Sequence, residues 1–237
     1  MKILYSIYLY FRATMFMLIC LPVMILISLF SPSSIYRVGQ LVAKGVFWCF
    51  NIKYEIIGIL PEDVPYIFMH NHTSFLDLFF LPMIIKGKYT GVVASKNFKI
   101  PLIGRILKQI KAIPITRSNL TDAIRSIKVA EKRLNQGYHI AIFPEGTRTI
   151  TGQLNPFKKG GFHMALNTNT NIVPIAVKGL FNIKPKTRWT INKGKAVMII
   201  GHPINVKGKT VDELILEMLN FYKGHDLLLD TSMSNNR

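Results

Sequence analysis

"PYIFMHNHTSFLDLFFLPMII", residues Pro65–Ile85, decides the fold. Its first six residues, rich in Tyr, Ile and Phe, read as a β-strand. Ser74 to Ile85 reads as a helix with Ser74 as a candidate cap, so Asn71, His72 and Thr73 fall in the turn between them. Strand, turn and helix in immediate succession form the repeating unit of an α/β domain. The flanking sequence continues the pattern. "YEIIG" lies upstream, and "TGVVAS" and "KAIPIT" are short strands downstream. Thr121 to Asn135 is an amphipathic helix with Ala123, Ile127, Ala130 and Leu134 on one stripe, and Gly137 stops it. "YHIAIFPEG" is a buried strand entering a turn, and "IVPIAVKG" and "KAVMIIG" are two more strands. Thr210 and Glu213 form a capping box that opens a last helix. The predicted fold class is therefore α/β: a mixed, largely buried sheet flanked by helices, without internal repeats.

Composition adds a second theme. Hydrophobic residues make up 49% of the 237 and charged residues 18%, with a formal net charge of +18. A cationic, apolar chain favours anionic lipid surfaces, which attract each Lys or Arg by roughly 1 kcal/mol. Nucleic acid is the competing polyanion, but no helix-turn-helix, zinc finger or RNA-binding aromatic signature is present. Ala13 to Phe30 is uncharged, borderline in length for a spanning helix, and holds Pro22, which would kink it. A Ser/Pro turn and an amphipathic stretch, Ser34 to Phe50, follow. This favours an apolar two-helix membrane anchor in one leaflet over a single crossing. A signal peptide is the poorer fit, because the small-residue cleavage signature is missing. Cys20 and Cys49 read as packed or lipid-facing thiols, with no disulfide framework and no metal site expected.

The chemistry gathers in four stretches. His72 and Asp77 are five residues apart, about 140° around one helix, so they meet only if His72 lies before the helix and Asp77 one turn inside it. Asp77 then orients the imidazole as in a serine-hydrolase triad and leaves the other ring nitrogen as a base. No Gly-x-Ser-x-Gly elbow supplies the nucleophile, so the hydroxyl is left for a substrate to bring. An ordinary structural His–Asp pair is the competing reading, and His70 has no role in either. In "IFPEGTR" a strand ends in a turn presenting Glu145 and Arg148 at the edge where α/β sheets bind ligands, or simply to water. Arg117, just past a strand, is a second phosphate ligand or a solvated loop residue. Lys96, also after a strand, polarises a carbonyl, binds an anion or is a surface charge.

Taken together, "NHTSFLD", "FPEGTR", "IVPIAV" and "GQLNPFKKGGFHMA" resemble, in order and spacing, the motifs of the glycerolipid acyltransferases, most of all the 1-acyl-sn-glycerol-3-phosphate (lysophosphatidate) acyltransferases. The resemblance runs roughly from Tyr54 to Gly201. It implies transfer of a fatty acyl chain from acyl-CoA or acyl carrier protein to the sn-2 hydroxyl of lysophosphatidate, giving phosphatidic acid. His72 is then the general base and Asp77 its orienter. Arg117 and the Glu145, Gly146, Thr147 and Arg148 block hold the glycerol phosphate, and Lys96 helps polarise the thioester carbonyl. One motif departs. Where the family reads Gly-x-Ile-x-Ile-Asp-Arg, this chain has Lys111, Ala112, Ile113, Pro114, Ile115, Thr116 and Arg117. The acceptor is thereby less constrained than the chemistry, and glycerol-3-phosphate, another lysolipid or a lyso-ornithine lipid stands as the alternative.

The resulting expectation is a hairpin over residues 1–50, a catalytic domain over 51–225 and a flexible tail over 226–237. The domain is expected at the cell membrane, facing the cytoplasm. It needs no cofactor besides the acyl-CoA or acyl-ACP co-substrate, and its partners are an anionic phospholipid membrane and lysophosphatidate, not nucleic acid.

Overall fold

The computed structural model describes residues 1–61, 64–116 and 120–227, the side chains at 120–123 aside. Two helices open the chain, α1 (Lys2–Phe30) and α2 (Ser34–Cys49), followed by strands β1 (Lys53–Ile57) and β2 (Ile67–His70). Then come α3 (Asp77–Ile84), β3 (Tyr89–Ala94), a 3-10 turn (Ser95–Lys99), α4 (Ile103–Gln109), β4 (Ile113–Ile115), α5 (Leu120–Asn135) and β5 (His139–Ile142). The last part holds α6 (Gly160–Asn167), β6 (Ile172–Lys178), α7 (Leu180–Ile183), β7 (Lys195–Ile200) and α8 (Val211–Lys223).

The seven strands form one sheet in the order β1-β7-β6-β2-β5-β3-β4. β6 and β7 pair antiparallel, and every other neighbouring pair is parallel. The mixed sheet expected from the sequence is therefore present. β2 sits centrally, with Met69 opposite both Ile142 and Pro174. The alternation within β2 divides the core. Phe68 joins the cluster under α2 and α3, while Ile67 and Met69 join the cluster under α5, α6 and α8. The expectation of burial fails at one edge, because β1 is exposed along its whole length and carries Lys53 and Glu55. An edge strand with charges is protected against pairing with another chain.

Two helix boundaries differ from the sequence reading. α1 runs unbroken through Pro22 for 29 residues, about 43 Å at the usual rise per residue. By length and composition it is apolar enough to cross a membrane. α3 begins at Asp77 rather than at Ser74, so Leu76 takes the cap position and the two residues before the helix form a turn. The capping box at Thr210 and Glu213 is formed in both directions.

The hairpin packs into the domain instead of standing apart from it. Gly45 lets α1 and α2 close up, since a Cβ there would overlap the Phe16 ring. The Arg12 guanidinium donates to the Trp48 carbonyl and lies 4.3 Å from the centre of its ring. Tyr10 donates to the Trp189 carbonyl at 2.7 Å, and Ser6 accepts from the Ile191 amide at 2.9 Å. Phe47 of α2 meets Phe80 of α3 edge to face at 4.7 Å, both fully buried. Phe80→Ala is expected to cost about 3–5 kcal/mol through the cavity it leaves. A thermal midpoint in detergent unchanged from the parent would show that α2 and α3 do not share one core.

Candidate active site

The C-terminal ends of β2, β3, β4 and β5 converge on one cavity of about 640 Å³. Its wall is largely apolar, with Phe75, Val92, Ile115, Ile142 and Met164 among the lining side chains. His72, Glu145, Gly146, Thr147 and Arg148 line it too.

His72 follows β2 directly, and its Nδ1 lies 3.0 Å from Oδ2 of Asp77. Asp77 is fully buried, while the His72 side chain keeps 16% exposure. The same Oδ2 accepts from the Thr73 amide at 2.6 Å and the Ser74 amide at 2.8 Å, and Oδ1 accepts from the Thr73 hydroxyl at 3.2 Å. Four donors around one carboxylate fold the His-Thr-Ser turn over the start of α3, so the spacing of five closes with Asp77 as the first helical residue. Pairing Nδ1 with the carboxylate makes Nε2 the nitrogen left for proton transfer. Ser74 is no nucleophile, because its hydroxyl is buried and donates to the Lys184 carbonyl at 2.7 Å.

The "FPEGTR" turn holds the histidine from the other side. Oε1 of Glu145 accepts from the His72 amide at 2.6 Å, Oε2 accepts from the Asn155 amide at 2.8 Å, and the Thr149 amide donates to the His72 carbonyl at 2.8 Å. Both main-chain groups of His72 are thereby fixed by residues more than seventy positions away. Gly146 makes this turn possible with φ 71°. The Phe143 ring stacks on the His72 ring at 3.7 Å and packs at 4.0 Å on His70, whose burial pushes its pKa down to about 3 and keeps it neutral.

Glu145 is buried, which pushes its pKa up to about 7, against the pull of the Asn155 and His72 amides. Its folded-state value exceeds the ordinary 4.5, so the folded chain holds a proton there that the unfolded chain has released. Stability is therefore expected to fall as pH rises from about 4.5 to about 7, most steeply midway between the two values. Thermal midpoints across this range should show that slope, and Glu145→Gln should flatten it. A parallel slope in the variant would assign the effect elsewhere.

Five of the eight residues singled out in the sequence thus line one cavity, and Asp77 is buried behind His72. Lys96 does not line it: it is exposed on the 3-10 turn, and its neighbour Asn97 lines the wall instead. Arg117 lies outside the described residues, although Thr116 beside it lines the cavity. The sequence reading missed Phe143, Thr149 and Asn155, none of which carries a chemical signal by residue type. Among the described residues no cluster of three or more His, Cys, Asp or Glu could hold a metal ion.

An imidazole held by a buried carboxylate thus faces a largely apolar cavity at the strand ends of an α/β sheet. Residues 51–178 match the sequence model of the acyltransferase family, and the chain belongs to that family. It is 33% identical over 156 residues to a chloroplastic 1-acyl-sn-glycerol-3-phosphate acyltransferase of Brassica napus, covering 64% of this chain and 45% of that one. It is 27% identical over 181 residues to the human 1-acyl-sn-glycerol-3-phosphate acyltransferase alpha, covering 75% of this chain and 64% of that one. The chain spans about half the length of the first of these relatives. The crystal structure of the 1-acyl-sn-glycerophosphate acyltransferase of Thermotoga maritima shares the fold, with a TM-score of 0.79 over 94% of this chain and 96% of that one at 22% identity.

Proposed function

We propose that the chain is a membrane-bound 1-acylglycerol-3-phosphate O-acyltransferase. The observation that carries the reading is the His72–Asp77 pair at the wall of an apolar cavity, with the adjacent Ser74 hydroxyl committed to the Lys184 carbonyl. Its relatives' names point to the same acceptor.

In this reading His72 Nε2 takes the proton of the sn-2 hydroxyl as that oxygen attacks the thioester carbonyl carbon. The C–O bond forms, the C–S bond breaks, and the proton carried by His72 passes to the departing thiolate. Asp77 keeps the ring in one tautomer and stabilises its cationic form. The thioester is already activated, so no acyl-enzyme is needed, and proximity in the cavity supplies much of the acceleration. Arg148 offers a planar fork to the acceptor phosphate, and the apolar wall takes an acyl chain. The exposed apolar face of α1, with Phe11, Leu18 and Leu26 among others, lies in the lipid and brings the site to its acceptor.

The test is a matrix of acceptors against palmitoyl-CoA and palmitoyl carrier protein with purified chain in mixed micelles. Phosphatidic acid formed from lysophosphatidate supports the reading, and turnover of none of the acceptors with either donor would overturn it. One observation favours a second reading, a related transferase with another lysolipid acceptor. Thr116, a neutral residue where the resembling family reads an acid, lines the cavity. The same matrix separates the two by which acceptor has the higher kcat/KM. Within the first reading, Arg148→Ala is expected to raise the KM for lysophosphatidate by about ten- to a hundred-fold, the size of a lost charge-assisted contact. An unchanged KM would remove Arg148 from the phosphate site.

A further inference from the structure

The segment after β3 has features that the transfer chemistry does not use. The 44 residues between Asp77 and Asp122 contain eight Lys or Arg and no acid. Within them Lys96, Lys99, Arg105 and Lys108 are exposed, and among the described residues none of the four forms an ion pair. Amid these cations Ile100, Leu102 and Ile103 are exposed by 44%, 40% and 43%.

The backbone that presents them is held in an uncommon shape. Leu102 has φ 61° and ψ −53°, and the Ile103 amide donates to the Pro101 carbonyl at 2.7 Å, which closes a γ-turn of the strained hand. A non-glycine residue in that region costs on the order of 1–3 kcal/mol and persists only where its surroundings impose it. Gly104 is part of that imposition, because a Cβ there would stand 2.1 Å from the Phe98 carbonyl oxygen. α4 is thereby pressed onto the 3-10 turn, and the apolar tip is a fixed feature.

The tip adjoins both the helical hairpin and the catalytic cavity. Leu102 lines an apolar groove with Tyr10, Met17 and Leu18 of α1, and Leu18 is itself exposed. Phe75 belongs to that groove and to the His72 cavity at once. One side chain therefore separates the tip's groove from the reacting centre.

We propose that the Ile100–Ile103 turn is a second bilayer contact, inserted beside α1, with Lys99, Arg105 and Lys108 on anionic lipid headgroups. Its apolar tip is continuous with the exposed face of α1, and its ring of unopposed cations matches an anionic leaflet in charge. Two separate contacts fix the orientation of a protein at a surface, where one helix leaves it free to roll. The mouth of the cavity is then held at headgroup depth, where a lysolipid's free hydroxyl lies. The inference rests on the lipid-facing reading of α1, and the experiment separates the two.

The full chain carries Cys20→Ala and Cys49→Ala, with an environment-sensitive fluorophore on Ile100→Cys in one sample and on Lys207→Cys in another. Phosphatidylcholine vesicles with and without phosphatidylglycerol are added, and flotation is measured in parallel. The label at position 100 is expected to shift to the blue with vesicles, more with phosphatidylglycerol, while the label at 207 does not. In the otherwise unaltered chain, Ile100→Ser with Ile103→Ser is expected to raise the KM for vesicle-borne lysophosphatidate at least about ten-fold. The same variant should change turnover of a short-chain, water-soluble lysophosphatidate by less than about two-fold, because the cavity is untouched. A chain that floats while the label stays water-like and the double variant keeps its KM would overturn the turn's role and leave α1's intact. A chain that does not float at all would overturn both. A label that responds to acyl carrier protein without lipid, and not to vesicles, would assign the turn to the donor's carrier and overturn the bilayer contact.

Discussion

His72→Ala is expected to lower turnover of lysophosphatidate by about a hundred- to ten-thousand-fold, the range of a lost general base. The KM for either substrate should change little, because the apolar wall and Arg148 remain. The fold should hold as well: the Glu145 and Thr149 bonds go to the main chain at position 72 and survive the substitution. Steady-state kinetics together with a thermal midpoint check both parts. Activity within about two-fold of the parent would remove the imidazole from the reaction.

Asp77→Asn is expected to act on both rate and stability. The carboxylate accepts from the Thr73 and Ser74 amides and faces His72 Nδ1. An amide has one accepting oxygen, and its NH2 would confront a donor. The rate should fall by about a hundred-fold or more as the imidazole loses its oriented tautomer. A buried donor left without its acceptor costs about 1–3 kcal/mol, so the thermal midpoint should drop too. This separates the two substitutions: His72→Ala is kinetically severe and structurally mild, and Asp77→Asn is severe in both. A purely structural carboxylate would show the midpoint loss with kcat intact.

Much of this arrangement was legible in the chain. Short runs of Tyr, Ile, Phe and Val between turn residues marked the strands, and period 3.6 marked α5. The α/β class followed because short apolar strands alternating with helices bury both faces of a sheet. Strand order did not follow, since nothing in "IVPIAVKG" or "KAVMIIG" says that β6 and β7 run antiparallel. The start of α3 was misplaced by three residues because Ser74 looked like a cap, whereas its hydroxyl is spent on Lys184 across the fold. A contact separated by 110 residues leaves no local trace. The same limit applied to Glu145. Its place in a Pro-Glu-Gly turn suggests a side chain facing ligand or water, yet the amides of distant His72 and of Asn155, ten residues on, draw it inside.

The bond between Glu145 and the His72 amide also bears on how the chain is made. Asp77 and the turn it organises can form as soon as they are synthesised, because all their partners lie within five residues. The main chain of His72 has no such local support: its amide waits for Glu145, and its carbonyl for Thr149. A nascent chain that has exposed only its first 140 residues therefore has the His72–Asp77 pair but not the Glu145 and Thr149 bonds that clamp its main chain. That clamp closes only when the turn after β5 is seated against the end of β2, so the aim of the His72 ring depends on a pairing made across more than seventy residues.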